Sequence, residues 1–440
     1  MLRPIQKYVQ MKSRKTIVIA DTLWEGHVPS YHKQYIKVLQ YKYNVVSISP
    51  NPDEIKLWIE SNIKKNDENI ATIKLGMPMI HTKNMNHNRT MVSYNIIKNV
   101  LNIGKRFRVP YMDGLLRMLH VLITWITLNK IVNTYIDNTK IKPDLVFFPY
   151  IDSKYLMFRG ISSFVIDRIF HHPWSGLYMN PTDFRIKKKK GILEGIFPDY
   201  NIFKSQNVSS IATLDEGTAS NMEKYFGKPI IVFPDVTPQT LPQSKSTLVE
   251  EIEKLSTGKI KICLLGVLAK RKGILTLLET AKILNSRGGK YYFIIAGPLF
   301  IGKETSDVEK LLTENIENCY IHPTLIKSDD EFNELANVAD ILFASYINFF
   351  HSSGILTKAS IFQKPIIVSE KYCMGERVRE YRLGLTIPEG DIEACVSAIE
   401  QLAKMENFDG DKINPGYITY SELHSEDTLE RRFKDLVIHY

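Results

Sequence analysis

The sequence has few cysteines, and their spacing is not that of a cross-linked or zinc-binding protein. Only four occur among the 440 residues, all in the second half of the chain: Cys263, Cys319, Cys373 and Cys395. They lie far apart, with no C-x-x-C spacing and no paired histidines nearby. This pattern argues against a disulfide framework or a zinc site, and it predicts a protein of a reducing compartment.

The sequence also lacks a long uninterrupted hydrophobic run. The N-terminal stretch Met1–Lys15 is basic and polar, unlike a signal peptide. The apolar run Leu115–Leu128 is broken by Arg117 and His120 and is shorter than the roughly 20 residues that a membrane-spanning helix needs. We therefore expect a cytoplasmic protein that is soluble or, at most, peripheral at the inner face of the membrane.

Acidic residues are scarce in the first half of the chain. Residues 1–235 hold 33 Lys and Arg against 19 Asp and Glu, a net charge of +14, whereas the remainder holds 24 against 29, a net charge of −5. A basic half predicts a polyanionic partner, such as anionic lipid head groups or a lipid diphosphate. Nucleic acid is not expected, because no helix-turn-helix, finger or aromatic RNA-binding signature accompanies the charge.

The length of the chain exceeds one ordinary core and predicts two domains of roughly 200 residues each. In the second half, short apolar runs alternate with amphipathic segments, as in a parallel sheet wrapped by helices. The predicted strands there are Ile260–Leu265, Tyr291–Ala296, Asp340–Ala344 and Pro365–Val368. The predicted helices are Ile274–Asn285, Thr305–Asn315, Asp330–Val338, Ile355–Phe362 and Ile392–Met405.

The first half repeats this alternation less cleanly. Its predicted strands are Thr16–Ala20, Asn44–Ser47, Leu145–Phe148, Ser163–Ile166, Ser210–Leu214 and Ile230–Phe233, with a helix at Tyr31–Tyr41. We predict an α/β fold of two Rossmann-like, doubly wound domains facing each other across a cleft. The polar, proline-bearing stretch Thr237–Ser246 marks the boundary. Residues 1–236 then form the N-terminal domain and residues 237–420 the C-terminal domain, while residues 421–440 form a helix expected to return to the first domain.

The strongest pattern for chemistry is a strand that runs into a glycine, three cations, a second glycine and a helix. Gly266 follows the strand, Lys270–Lys272 come next, and Gly273 precedes the helix. Close backbone approach and positive charge at a sheet edge are what a nucleotide diphosphate requires. The order of a Walker loop is absent. A helix entry with surface lysines is the alternative interpretation.

A second pattern places small residues after later strands of the same domain. One predicted strand ends at Ala296 and is followed by Gly297; further on, Ser352, Ser353 and Gly354 open the helix that contains Lys358. Exposed N–H groups at such positions can receive a phosphate, so we expect Gly297, Ser352, Ser353, Gly354 and Lys358 to contact a bound donor. Serine at a helix start is also an ordinary cap.

With these residues the sequence resembles the GT-B glycosyltransferases, in particular family 4. In that family a strand–glycine loop with a basic residue before Lys-Gly contacts the donor diphosphate, and a later helix opens against the nucleotide sugar. The resemblance covers about residues 260–403, and Lys272, Gly273 and Pro365 match the family pattern. It implies that the loop from Gly266 to Gly273 binds the diphosphate of the donor.

The sequence departs from the family pattern at two points. Val267 stands where the family usually has arginine, so Arg271 would have to take over that role. No glutamate occurs between residues 345 and 363, where the family has two glutamates spaced eight apart, and Lys358 falls near the position of the second. Those glutamates normally help to hold the sugar and the ribose, which leaves the identity of the donor and the retention of configuration open.

Two segments of the first half correspond to positions that GT-B enzymes use. Glu25, Gly26 and His27 lie in the loop after the first strand, which in these enzymes borders the cleft and is expected to contact the acceptor; a plain β-to-α turn is the alternative. His171 and His172 are predicted to follow a strand, at a place resembling the one where family 4 members set a histidine against the donor sugar. A structural histidine pair is the alternative there.

The implied reaction moves a hexose from a nucleotide-diphosphate sugar to a glycan, polysaccharide or lipid-linked acceptor, with no cofactor and no metal. Retention of configuration, which is weakly favoured, would use His171 or His172 to position the sugar. Inversion would use His27 or Glu25 as the base. Two other functions fit the same residues: a GT-B sugar-nucleotide epimerase, and a non-catalytic scaffold that binds a nucleotide sugar or a membrane.

Overall fold

The computed structural model of the protein describes residues 14–26, 28–63, 69–75, 112–186, 198–300, 316–404 and 414–438. Two predicted features, His27 and the helix Thr305–Asn315, lie outside these residues. The chain divides into two compact units. The first contains Met1–Leu214, Thr218–Phe233 and Glu430–Tyr440, and the second contains Asp215–Gly217 and Pro234–Leu429.

The first unit is built on a parallel sheet of seven strands in the order β3-β2-β1-β4-β5-β6-β7. The strands are β1 (Thr16–Ala20), β2 (Asn44–Ser49), β3 (Ile70–Lys74), β4 (Leu145–Phe148), β5 (Trp174–Tyr178), β6 (Ile211–Thr213) and β7 (Ile230–Val232). Its helices are α1 (Val28–Leu39), α2 (Pro52–Asn62), α3 (Met112–Thr139), α4 (Ser163–Ile169), α5 (Thr182–Arg185) and α6 (Glu216–Phe226). The first residues of α6, Glu216 and Gly217, belong to the second unit. The strand order reverses beside β1, as in a doubly wound Rossmann sheet.

Aromatic side chains fill both faces of this first sheet. On one face, the fully buried Trp125 of α3 contacts the rings of Phe148, Phe170 and Trp174 at centroid distances of 5.1–5.3 Å. On the other face, Phe433 of the C-terminal helix contacts Phe147 at 4.9 Å. Residues from position 430 onward therefore complete the core of the first unit, since an offset or edge-to-face aromatic pair adds about 0.5–1.5 kcal/mol to the burial itself.

Helix α3 is longer than the apolar run that the sequence analysis considered. It extends over 28 residues, and its part Gly114–Thr139 is long and apolar enough to cross a membrane by length and composition. The core helix of a soluble protein satisfies the same criterion, and Val121, Trp125 and Leu128 are fully buried in the first unit. The expectation that this segment is too short to span a membrane is therefore wrong. A single helix of this length and composition is nevertheless weak evidence that it does so.

The second unit contains a six-stranded parallel sheet in the order β10-β9-β8-β11-β12-β13. The strands are β8 (Ile260–Leu265), β9 (Tyr291–Ala296), β10 (Cys319–His322), β11 (Ile341–Ala344), β12 (Ile366–Ser369) and β13 (Gly384–Ile387). The helices are α7 (Thr247–Leu255), α8 (Ile274–Ser286), α9 (Asp329–Val338), α10 (Ile355–Ile361), α11 (Tyr372–Tyr381), α12 (Ile392–Lys404), α13 (Pro415–Leu423) and α14 (Glu426–Ile438), which ends in the first unit.

The strands of the second sheet are buried on both faces, which explains their continuous apolar runs. Along β8, Cys263 and Leu265 point into one core cluster, while Ile262 and Leu264 point into another. Successive side chains of a strand point to opposite faces of the sheet, and in β8 the residues on both faces are apolar. The prediction of two doubly wound α/β domains is confirmed.

One predicted strand is wrong. Residues 163–166 form the start of helix α4, and within that helix only Ile166 is buried. A strand inside this parallel sheet would bury consecutive residues, as β5 does over all five of its positions. Trp174–Tyr178 is therefore the strand of this region, and the pair His171–His172 follows a helix and precedes a strand.

Two glycines allow the ends of β8 and β9 to approach each other closely. Gly266 and Gly297 directly follow these strands, with φ angles of 101° and 140°. A Cβ atom at residue 297 would lie 2.0 Å from the carbonyl oxygen of Gly266. Only glycine is compatible with this arrangement, because both the backbone conformation and the available space exclude a side chain.

We predict that Gly297→Ala destabilises the second unit more than Gly288→Ala does. Both glycines have positive φ angles, 140° and 122°, but no atom lies within 4 Å of a Cβ built at Gly288. Both variants pay about 1–2 kcal/mol for the left-handed conformation, and only Gly297→Ala adds an overpacking cost of about 1–3 kcal/mol. Thermal unfolding of the two variants measures the difference; equal melting temperatures would contradict it.

Candidate functional site

The glycine and lysine loop of the second unit lies at the carboxyl edge of its sheet. After β8 and Gly266, residues Lys270–Lys272 form a single 3-10 turn that ends at Gly273. Gly273 has a φ angle of 75°, and a Cβ there would lie 2.3 Å from the carbonyl oxygen of Ser345. The Ile347 N–H donates to the carbonyl oxygen of Arg271 at 2.8 Å. The loop after β8 is thus joined to the loop after β11, as the parallel topology predicts.

The two cations of this turn differ in their surroundings. The Lys272 ammonium lies 3.7 Å from the centroid of the Tyr346 ring, a cation–π contact that orients the side chain. Arg271 is exposed, and the hydrogen bond that joins it to the loop after β11 is made by its backbone oxygen. Lys272 is therefore the better placed of the two to present a fixed positive charge at this edge.

The loop before α10 brings together residues that lie far apart in the sequence. The Ser352 hydroxyl donates to the Asp235 carboxylate at 2.7 Å and accepts from the Arg377 guanidinium at 2.6 Å. The guanidinium of Arg377, which is only 3% exposed, also donates to both carboxylate oxygens of Glu216, at 3.0 and 2.6 Å. Thr357 donates to the backbone oxygen of Asp235 at 2.8 Å.

Sequence reasoning missed these partners of Ser352. It gave Glu216, Asp235 and Arg377 no role. No local signal joins them, because 117 and 25 residues separate Ser352 from Asp235 and Arg377. Arg377 is buried in the structure. Because arginine is rarely buried unless it is paired, its burial indicates a partner such as Glu216.

The structure places Ser353 and Gly354 beside this network and directs Lys358 elsewhere. Gly354 precedes α10, and a Cβ at that position would lie 3.6 Å from an Asp235 carboxylate oxygen. The buried Lys358 ammonium instead donates to the Asn333 side chain and, at 3.3 Å, to the carbonyl oxygen of Pro238. Burial lowers the pKa of Lys358 to about 8. These contacts tie α10 to α9 and argue against the predicted contact between Lys358 and a donor.

One group of possible metal ligands occurs among the described residues. Ligand atoms of Asp215, Glu216 and Cys373 lie within 4.8 Å of one another. Glu216, however, is already paired with the cation of Arg377. The charge of the guanidinium opposes a second cation at this position.

In the first unit, the loop after β1 is anchored by a buried chain of polar groups. His32 is fully buried, with Nδ1 2.6 Å from an Asp21 carboxylate oxygen and Nε2 2.7 Å from the Ser47 hydroxyl. Trp24 contacts His32 edge-on at 5.4 Å and donates to Glu54 at 2.6 Å. These contacts fix the loop that carries the predicted acceptor-binding residues.

Two of the residues predicted to bind the acceptor lie among the described residues. Glu25 and Gly26 are exposed at the carboxyl edge of the first sheet, and Gly26 has a φ angle of 60°. His27 lies outside the described residues. The predicted position of Glu25 and Gly26 in a loop between the first strand and the first helix is correct.

The predicted catalytic histidines occupy the opposite edge of the same sheet. His171 and His172 precede β5, and the carbonyl of the next residue, Pro173, accepts from the N–H of Val146 near the start of β4. His171 is exposed, whereas His172 is buried and its pKa is lowered by burial and by the charges of His171 and Lys142. The sequence analysis placed them after a strand because it predicted a strand at Ser163–Ile166, where the structure has helix α4. Their actual position at the amino edge does not support contact with a sugar held at the carboxyl edge.

A carboxyl group that the sequence analysis did not identify lies at the carboxyl edge of the first sheet. Asp152 follows β4 and accepts hydrogen bonds from the Met179 N–H at 3.3 Å and from the N–H and side-chain amide of Asn180, both at 2.9 Å. Burial raises the pKa of Asp152 to about 6, although these hydrogen bonds oppose the shift. Asp152 thus joins the loop after β4 to the loop after β5.

Comparisons with known proteins agree with this geometry. Residues 247–416 match the family model described as Glycosyl transferases group 1. No curated protein matches the chain in sequence.

Solved structures match along nearly the whole chain. The UDP-forming trehalose-phosphate synthase of Burkholderia vietnamiensis is 10% identical with a TM-score of 0.64, covering 97% of this chain and 99% of that one. Anabaena HepE, solved in complex with UDP and glucose, is 11% identical with a TM-score of 0.58, covering 97% and 100%. A glycosyltransferase of Rickettsia africae is 14% identical with a TM-score of 0.57, covering 96% and 98%.

The chain therefore has the GT-B fold, as predicted. The family model of Glycosyl transferases group 1 matches residues 247–416 within that fold. The narrower assignment to family 4 stays a prediction.

We predict that Asp152→Asn changes how stability depends on pH. Because the pKa of Asp152 is raised from 3.8 to about 6, protonation stabilises the folded state, and this contribution is full below about pH 4 and is lost as the pH rises through 6. The melting temperature of the wild type should therefore fall relative to that of the variant between pH 4 and 7, by the equivalent of about 2–3 kcal/mol. Asp137→Asn, at an exposed site on α3, is the control. A difference that stays constant across this pH range would contradict the prediction.

Proposed function

We propose that the protein transfers a hexose from a nucleoside-diphosphate sugar to a hydroxyl group of a glycan, polysaccharide or lipid-linked acceptor. The observation that carries the proposal is the carboxyl edge of the second sheet. There, a glycine directly follows each of β8 and β9, so the backbone is open to a ligand beside the oriented ammonium of Lys272. A diphosphate requires this combination of close backbone approach and positive charge. The glycosyltransferase group 1 domain includes all of these residues.

The donor assignment is supported by the proteins that share the fold. HepE was solved with UDP and glucose, and the Burkholderia enzyme is described as UDP-forming. By this analogy the leaving group is a nucleoside diphosphate, which gains negative charge as the glycosidic bond breaks. Stabilising that charge is the main catalytic task. In our proposal Lys272, Arg271 and the amides near Gly266, Gly297 and Ser353 perform it without a metal ion or a further cofactor.

Acceptor binding is proposed for the carboxyl edge of the first sheet. Glu25 and Gly26 are exposed there on a loop that the buried Asp21–His32 pair anchors. If the reaction inverts configuration, Glu25 or His27 is the candidate base. Retention of configuration needs no separate base.

The proposal includes a peripheral position at the cytoplasmic face of a membrane. The first half of the chain carries the positive charge, and α3 exposes Leu115, Leu119 and Ile126. Apolar side chains together with basic residues are the features that bind a protein to an anionic bilayer surface.

We expect UDP, GDP or ADP to raise the melting temperature of the wild type and Lys272→Ala to reduce that increase by at least about half. A ligand that binds only the folded state at 100 times its Kd stabilises it by about 2.7 kcal/mol. Loss of the Lys272 ammonium should weaken binding at least about tenfold, which is about 1.4 kcal/mol. Lys254→Ala, at an exposed position of α7, is the matched control. A thermal shift that is unchanged in Lys272→Ala would count against the assignment.

A further inference from the structure

The loop between β11 and α10 contains no glutamate, yet the fold brings two carboxylates to it. Asp235 accepts from the Ser352 hydroxyl at 2.7 Å, and Glu216 is joined to the same serine through Arg377. All of these residues belong to the second unit. The two carboxylates differ in accessibility, since Asp235 is 1% exposed and the Glu216 side chain is 45% exposed.

Arg377 holds Glu216 in one orientation. Its Nε and Nη2 atoms donate to the two oxygens of the Glu216 carboxylate, and Nη1 donates to Ser352 and, at 3.3 Å, to the Tyr420 hydroxyl. A bidentate arginine–carboxylate pair fixes the plane of the carboxylate. Each carboxylate oxygen can accept more than one hydrogen bond, and the Glu216 side chain is 45% exposed.

We propose that Glu216 accepts hydrogen bonds from hydroxyl groups of the sugar in the nucleotide-sugar donor, which makes it a residue that determines donor specificity. The inference rests on the proposed function, because it assumes that the donor binds beside the Ser352 loop. A carboxylate that is already oriented loses little side-chain freedom on binding. Hydrogen bonds from hydroxyls to an ionised acceptor are stronger than those to a neutral one.

The assignment makes a prediction that a purely structural ion pair does not. If Glu216 contacts the sugar, removal of its charge should weaken binding of the nucleotide sugar and spare binding of the nucleoside diphosphate. A structural role would change affinity for both ligands or change only the melting temperature. The comparison of the two ligands therefore separates the two roles.

The test is isothermal titration calorimetry of the full chain with UDP, GDP and ADP and with UDP-glucose, GDP-glucose and ADP-glucose. The pair that the wild type binds is then measured with Glu216→Gln, which keeps the shape of the side chain. We expect a Kd for the nucleotide sugar at least about tenfold higher, and a Kd for the nucleoside diphosphate changed by less than about twofold. Glu223→Gln, at an exposed glutamate farther along α6, should change neither.

Each other outcome has a distinct meaning. If Glu216→Gln leaves both constants unchanged, or raises both equally, the sugar contact is wrong while the proposed function stands. If the wild type binds the nucleoside diphosphate as tightly as the corresponding nucleotide glucose, or more tightly, the sugar contact is likewise wrong. Failure of the wild type to bind any of the six ligands overturns the proposed function itself.

Discussion

The close approach of two strand ends in the second domain is the constraint on which the rest of the site depends. The carbonyl of Gly266 occupies the space that a side chain at residue 297 would need. This approach keeps the carboxyl edge of the sheet free of side chains at the ends of β8 and β9. Because Gly273 meets the carbonyl of Ser345 in a similar way, the lysine-bearing turn is held against the loop that follows β11. Backbone geometry, more than any one side chain, thus creates the place where a diphosphate is proposed to bind.

Much of the fold could be predicted because strands that are buried on both faces appear in the sequence as continuous apolar runs. The predicted bounds of β1, β4, β8 and β9 agree with the structure residue by residue. Strands with weaker signals were missed: β5 contains serine and glycine, and β10 and β13 lie at the edges of their sheet. The segment that starts at Ser163 was misassigned because Phe164, Val165 and Ile166 form a short apolar run that a helix and a strand share.

The site was predictable only where its residues are neighbours in sequence. Gly266, Lys272 and Gly273 form a local pattern whose spacing has a direct physical meaning. Glu216 and Arg377 carry no such pattern, since 161 residues separate them and only the folded chain brings them together. The histidines show the opposite failure. A single strand error moved His171 and His172 from the amino edge of the sheet to the carboxyl edge, where a catalytic role would have been plausible.

The central claim is that the carboxyl edge of the second sheet binds a nucleoside diphosphate through Lys272 and the glycine loops. A crystal structure of the protein with UDP tests it most directly. The account predicts diphosphate oxygens within hydrogen-bonding distance of the Lys272 ammonium and of backbone amides between Gly266 and Gly273. A nucleotide bound elsewhere, with Lys272 still stacked on Tyr346 and no phosphate near it, would contradict the account.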